Sequence, residues 1–234
     1  PLHLSTTVTK IVGSKRVQAV EVSAVDENLK PIPGTEEIIP CDTVLLSIGL
    51  IPENELSKKA GIELNPVTNG PKVDNALETS VKGIFACGNV LHVHDLVDQV
   101  TKEAEDAGTY AAEYAAKCVA AQQADTTKDV SIDADTAGEA CGTSNAETEI
   151  AVIPEGMVRY TVPTRICANR TPVTKIKFRV GRPVETAKIR ITSGDKVIFE
   201  SKKAKKFVPS IMENVNLTAA QLADVQDEIK VTLV

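Results

Sequence analysis

The apolar spacing of the sequence changes abruptly near residue 90, and this change constrains the fold more than any other feature. The apolar run IFA at residues 84–86 is typical of a strand, and Gly88 follows it. From Asp95 to about Val119 the spacing is helical. One face of this predicted helix carries Val97, Val100, Ala104, Ala107, Ala111, Ala115 and Cys118. The order of strand, glycine and helix predicts an α/β unit with a closely packed, alanine-rich helix.

Shorter elements precede this junction. Alternating runs on either side of the turn-like GSK at residues 13–15 predict an antiparallel hairpin or meander. After a Pro/Gly-punctuated turn, the apolar run CDTVLLSIG is typical of a strand buried on both faces and ends at Gly49. A short helix is predicted over PENELSKKAG, with Gly61 as its stop signal, and a further strand over GPKVD.

The remainder of the chain has a different character. Residues 120–155 are polar, acidic and small, which predicts a linker that proteases should cut first, around Asp125 to Glu149. Residues 156–234 alternate apolar and polar positions, and SGDK between two such runs predicts a hairpin. We therefore expect an α/β part followed by an independent all-β domain, an antiparallel β-sandwich.

Charge and composition narrow the function classes. The net charge of −6 hides basic residues concentrated after Gly156, but few aromatic residues accompany them, so a solvated basic face is favoured over a nucleic-acid site. No apolar run could cross a bilayer, and no signal pattern is present, which favours the cytoplasm over a membrane. Five cysteines without a C-x-x-C pair predict free thiols in a reducing compartment.

The junction at Gly88 has a chemistry of its own. A helix N-terminus presents unpaired N–H groups and a partial positive charge, and a glycine lets a ligand approach the backbone. A tight turn in an ordinary α/β domain has the same pattern. The junction alone therefore does not establish a cofactor site.

Two sequence motifs strengthen the prediction of a cofactor site at the Gly88 junction. The segment at residues 79–89, TSVKGIFACGN, resembles the second flavin motif of the pyridine nucleotide-disulfide oxidoreductase family, T-S-x-x-G-I-F-A-x-G-D. Upstream, CDTVLLSIGLIPEN resembles that family's hinge strand, which returns the chain from the NAD(P)-binding to the FAD-binding domain. The resemblance covers about the first half of the chain, through Val119. It implies that residues 1–63 end an NAD(P)-binding domain and that residues 64–119 end a Rossmann-like FAD-binding domain.

The resemblance also implies site residues. Gly88 and Asn89 would lie against the ribityl-pyrophosphate of FAD, with Asn89 replacing the usual Asp and its charge. Backbone N–H groups near the start of the helix would face the pyrimidine edge of the flavin. The complete set implied as cofactor-binding is Gly49, Gly88, Asn89, Val90, Leu96, Val97 and Asp98.

The sequence lacks other parts of the family pattern. It contains neither G-x-G-x-x-G loop and no redox dithiol. We therefore expect a C-terminal fragment of a flavoprotein that transfers a hydride from NAD(P)H to FAD and then to an unidentified acceptor. The fragment alone should be inactive and should not retain FAD. The alternative is a non-enzymatic module whose basic β-sandwich docks a protein partner or a second copy.

Single residues add little at this level. His92 and His94 form an H-x-H pair near the motif, and either could face the substrate side of the flavin. No further ligand stands at a set spacing, so no metal site is predicted. Cys87 is expected to be a small apolar residue and Asp95 a helix cap. No catalytic residue can be assigned.

Overall fold

The computed structural model describes residues 1–124, 149–168 and 170–234. The chain forms two compact units, residues 1–49 and residues 50–234. Strands are the dominant element, and helices are few. No helix in the described part of the chain is both long and apolar enough to cross a membrane.

Unit 1 is a small antiparallel sheet. Strands β1 (Thr6–Val12), β2 (Ala19–Ala24) and β3 (Glu37–Pro40) lie in the order β1-β2-β3. The hairpin predicted around GSK is confirmed, because β1 and β2 pair antiparallel from Val12 opposite Ala19. Strand β3 was missed, since it lies within the segment predicted as a Pro/Gly turn.

The apolar run before Gly49 does not form the predicted buried strand. Residues 41–49 belong to no strand, and Leu45 and Ile48 are 91% and 88% exposed. A strand is buried on both faces only when other elements cover it. Within unit 1 as described, the sheet ends at β3 and supplies no such cover, so this prediction is wrong.

Residues 50–124 contain helices and turns. Helix α1 (Glu55–Lys59) ends before Gly61, which adopts a φ of 72° as the predicted stop signal requires. A 3-10 helix spans Gly88–Val90, and helix α2 spans Val97–Ala124. The strands predicted at GPKVD and IFA are only isolated bridges, Leu64 with Pro71 and Glu78 with Phe85. The Rossmann-like character of this part therefore stays a prediction.

The long helix was placed correctly, but its inward face differs from the predicted stripe. The inward positions of α2 include the buried Glu103 and Ala107 and the partly buried Val100, Ala111, Tyr114 and Cys118. Ala104 and Ala115 are exposed. Gly108 meets no atom within 4 Å at its Cβ position, so the expected close packing at this glycine is absent.

The C-terminal part is a β-sandwich. Its ten strands are β4 (Glu149–Pro154), β5 (Val158–Val162), β6 (Arg165–Cys167), β7 (Val173–Val180), β8 (Val184–Ala187), β9 (Ile189–Ser193), β10 (Lys196–Glu200), β11 (Lys205–Phe207), β12 (Glu213–Thr218) and β13 (Glu228–Leu233). A short helix, α3 (Ala219–Leu222), precedes β13. The predicted hairpin at SGDK is confirmed, because β9 and β10 pair from Ser193 opposite Lys196.

Two sheets enclose the main core of the sandwich. A five-stranded sheet has the order β10-β9-β13-β4-β6, and a three-stranded sheet has the order β12-β7-β5. Fully buried residues from both sheets pack together, among them Ile191, Ile229 and Phe178. The sandwich is not purely antiparallel as expected, because β13 and β4 pair in parallel.

The β-sandwich and residues 50–124 share one compact unit. Val73, Ala86 and Leu91 form a second apolar cluster with Tyr160, Val162 and Met212 of the sandwich. The backbone N–H of Thr164 also donates to the carbonyl of Val73 at 3.1 Å. These contacts join the β-sandwich to residues 50–124, whereas an independent domain was expected.

Regular structure occupies both ends of the predicted linker. Helix α2 extends to Ala124 and β4 begins at Glu149, so both ends of the expected 120–155 linker are regular structure. The rest of that segment lies outside the described residues. Cys41 and Cys87 are free thiols, whereas Cys118 is disulfide-bonded, so the expectation of free thiols is wrong at Cys118.

Candidate functional site

The flavin-like motif at residues 79–89 begins as a tight, hydrogen-bonded turn. The N–H of Thr79 donates to the carbonyl of Ile84 at 2.8 Å, and the N–H of Val81 donates to the hydroxyl of Thr79 at 3.2 Å. Gly83 has a φ of 76°, and a Cβ there would lie 3.2 Å from the ring of Tyr114 on helix α2. The presence of Thr79 and Gly83 in the motif is therefore explained by local structure.

Gly88, near the end of this segment, is its second glycine with a positive φ. Its φ is 72°, and a Cβ would lie 3.4 Å from Val100 of helix α2. Its N–H donates to Oε1 of Glu103 at 2.7 Å. The N–H of this residue, which the resemblance places against the ribityl-pyrophosphate of FAD, is therefore bonded to a buried carboxylate within the chain.

The other predicted cofactor residues lie nearby on an open surface. Asn89 is exposed, and its Oδ1 accepts the N–H of His94 at 3.1 Å. The carbonyl of Val90 accepts a bond of 2.8 Å from the buried Asn54. Leu96 and Val97 are 61% and 75% exposed.

Helix α2 begins at this surface. Its first-turn residue Asp98 is also exposed, and Leu96 precedes the first residue of the helix. The structure therefore brings residues 88–90 and 96–98 together beside one helix start. Gly49 belongs to unit 1, where it is an exposed glycine with a φ of 87°.

Glu103 gathers a polar cluster beneath the Gly88 turn. His94 Nε2 lies 2.9 Å from its Oε1, and His92 Nε2 lies 3.3 Å from its Oε2. Lys177 of strand β7 also pairs with Oε2. His92, His94 and Glu103 are each at most 2% exposed at the side chain, so this cluster is shielded from water.

The charges in the cluster have clear directions. Burial raises the pKa of Glu103, but hydrogen bonds from His92 and His94 and the charge of Lys177 outweigh it and hold this pKa well below its usual value. Burial lowers the pKa of His92 more than Glu103 raises it. At neutral pH the cluster therefore contains an ionised Glu103 beside an uncharged His92.

Two atoms of the cluster are not satisfied by the protein. Nδ1 of His92 and Nδ1 of His94 are buried and have no hydrogen-bond partner among the residues that the structure describes. Leaving a buried polar atom unpaired costs about 1–3 kcal/mol. The two rings are neighbours, with centroids 4.4 Å apart.

Asp95 connects the helix start to the β-sandwich. Its carboxylate pairs with Arg179 of strand β7 and accepts the N–H of Met212 at 2.7 Å. This residue was expected to cap helix α2. Its described contacts instead attach the loop before the helix to the sandwich.

A second buried ionic cluster lies at the adjoining loop. The guanidinium of Arg170 contacts Oδ2 of Asp74 and lies 2.6 Å from Oε2 of Glu78. Burial raises the pKa of Glu78, but the N–H of Gly83 and the charge of Arg170 outweigh it, so the net pKa is lowered. Asn75 donates to the hydroxyl of Thr171 at 2.8 Å in the same region.

Comparison with known proteins agrees with the motif. The sequence profile of the pyridine nucleotide-disulphide oxidoreductase family matches residues 1–124, about half of the chain. The chain belongs to this oxidoreductase family. It is also similar to a protein named NADH oxidase from Methanocaldococcus jannaschii, with 30% identity over 94 residues. That stretch is 40% of this chain and 18% of the archaeal protein, so the chain matches less than a fifth of this relative.

Sequence reasoning missed Glu103, Lys177 and Arg170. Glu103 stands on the inward face of helix α2, four residues before Ala107, where a charged side chain needs a buried partner. That anomaly was available in the sequence. Lys177 and Arg170 gave no such signal, because their partners lie 74 and 92–96 residues away along the chain.

Proposed function

We propose that the chain forms part of an FAD-dependent NAD(P)H oxidoreductase, in which a hydride passes from NAD(P)H to FAD and on to an acceptor. Membership of the pyridine nucleotide-disulphide oxidoreductase family supports this proposal. The similarity to a protein named NADH oxidase supports the nicotinamide part.

The observation that carries the proposal is the position of the Gly88 turn directly before the start of helix α2. Exposed Asn89 and the exposed positions 96–98 form one surface beside a helix N-terminus. Such a surface favours anionic groups, including a ribityl-linked phosphate or the anion of a reduced flavin. Because Glu103 binds the N–H of Gly88, we assign direct flavin contact to Asn89 and the helix start, and a supporting role to Gly88.

FAD binding by these residues alone should be weak. The G-x-G-x-x-G loops that bind the pyrophosphate and ribose of dinucleotides are absent from the 234 residues. Losing three or four contacts worth about 1.5 kcal/mol each weakens binding by about 5 kcal/mol, which turns a nanomolar site into one of roughly 5 micromolar. We propose that tight binding requires segments beyond this sequence.

A flavin titration tests the proposal. FAD fluorescence should show no submicromolar binding to the 234-residue chain, and NADH consumption should not exceed the buffer control. In a longer protein that also supplies the glycine-rich loops, FAD should remain bound. Asn89→Ala should weaken that binding by about 10-fold, because it removes one direct contact.

Gly34 provides the matched control. It has a φ of 85° and open space around its Cβ position, so Gly34→Val tests a valine at positive φ away from the proposed site. Gly88→Val should release FAD from the longer protein, whereas Gly34→Val should not. Full FAD retention in both Asn89→Ala and Gly88→Val would contradict the assigned site. A colourless longer protein that binds a protein partner through residues 156–234 would favour the docking module instead.

A further inference from the structure

The cluster of His92, His94 and Glu103 has the donor atoms of a metal site. One ligand atom from each side chain lies within 4.8 Å of the others. In a tetrahedral site with bonds of 2.0–2.1 Å, neighbouring ligand atoms lie about 3.3 Å apart. Nε2 of His92 lies 3.3 Å from Oε2 of Glu103 and Nε2 of His94 lies 2.9 Å from Oε1, so each nitrogen is close to that spacing from one of the two carboxylate oxygens.

Both histidines direct one ring nitrogen at the same carboxylate. Nε2 of His92 and Nε2 of His94 each lie within hydrogen-bond distance of a Glu103 oxygen, and the two ring centroids are 4.4 Å apart. Two adjacent imidazoles and a carboxylate, all shielded from water, are a set that first-row divalent ions prefer.

Lys177 competes with an ion for Glu103, so its replacement provides a test for ion binding. Its ammonium pairs with the same carboxylate oxygen that faces His92. An ammonium and a divalent ion cannot share that position, because their repulsion is large at such separations inside a protein. A metal ion would therefore have to displace Lys177 from Glu103.

We propose that His92, His94 and Glu103 form a binding site for a divalent transition metal ion of the zinc class, with Lys177 as the competing cation. The site does not depend on the flavin assignment. It takes one ion per chain, bound through two imidazole nitrogens and one carboxylate. A fourth position would be open to water or another ligand.

The test is a titration of the chelator-treated chain with Zn²⁺, followed by calorimetry. The visible absorption of Co²⁺ provides a second readout, since it reports coordination directly. One equivalent should bind. His94→Gln and Glu103→Gln should each weaken binding by about 100-fold or more, because each removes a ligand. Lys177→Met should tighten it by about 10-fold, because it removes the competitor.

His3 gives the matched control, since it is the one histidine of the chain outside the proposed site and is exposed in unit 1. His3→Ala should leave the affinity unchanged. Circular dichroism of each variant separates a lost ligand from a lost fold, and Lys177→Met remains informative because it predicts a gain. Equal affinity in the unchanged chain, His94→Gln and Glu103→Gln would overturn the proposal. So would the absence of a Co²⁺ spectrum in both the unchanged chain and folded Lys177→Met.

Discussion

Arg170 should be one of the most important single residues for the stability of unit 2. Its guanidinium, 15% exposed, bridges the carboxylates of Asp74 and Glu78, which are each 1% exposed. Replacing Arg170 by Met leaves two buried carboxylates without their main counter-charge. Removing one partner of a buried ion pair costs about 3–5 kcal/mol. Lys82, 3.6 Å from Glu78, compensates in part, so we expect the lower end of that range.

Urea denaturation measures this cost. With an m-value of about 2 kcal/mol per molar, a loss of about 3 kcal/mol lowers the midpoint by roughly 1.5 M. The control is Lys196→Met, which breaks the 2.8 Å pair with Asp224, where both side chains are largely exposed. An exposed pair contributes about 1 kcal/mol or less. If Arg170→Met shifted the midpoint no more than this control, the assigned role of the buried cluster would be wrong.

The pH dependence gives an independent check on Arg170. The pKa of Glu78 is below its usual value of 4.5, so its ionised form contributes stability above pH 4.5. This contribution is lost as the pH falls through the lowered folded-state pKa. Without Arg170 the pKa of Glu78 should rise. The stability difference between the unchanged chain and Arg170→Met should therefore be full at pH 7 and shrink as the pH falls from the raised Glu78 pKa of the variant to the lowered Glu78 pKa of the unchanged chain; a difference that is constant or grows toward acid would refute the ionic explanation.

Three further predictions concern the same unit. Gly70→Ala should destabilise it by about 3 kcal/mol, because a Cβ there would lie 1.7 Å from the backbone oxygen of Leu91. By contrast, Gly108→Ala, with open space on helix α2, should stabilise it by about 0.5–1 kcal/mol in thermal denaturation, and a loss there would show crowding that the structure lacks. Asp95→Asn should cost about 1–2 kcal/mol, because the charge paired with Arg179 is lost; an unchanged melting temperature would show that this pair contributes nothing.

Elements with local causes could be predicted from the sequence. The GSK hairpin, the stop at Gly61 and helix α2 each depend on residues close together in the chain. The apolar run before Gly49 was predicted wrongly, because burial depends on what covers a strand and not on its own composition. Strand β3 was not predicted, because the prolines near it in the sequence favoured a turn.

The candidate site divides in the same way. The position of Gly88 before a helix was readable in the motif, and its positive φ follows from the role of glycine. The carboxylate that binds its N–H was not readable, since the pairing of Glu103 with Lys177 joins segments 74 residues apart. Long-range pairs of this kind are decided by packing, which local spacing does not reveal.

The limits of the family match and the limits of the folded unit do not coincide. The family profile ends at residue 124, yet Glu103 and Asp95 are neutralised by basic residues of strand β7, in the following β-sandwich. A chain truncated at residue 124, or a chimera with another C-terminal domain, would leave these acids without partners. Instability of such a product would reflect the lost ion pairs, so domain-swapping experiments on this protein need to transfer Lys177 and Arg179 together with helix α2.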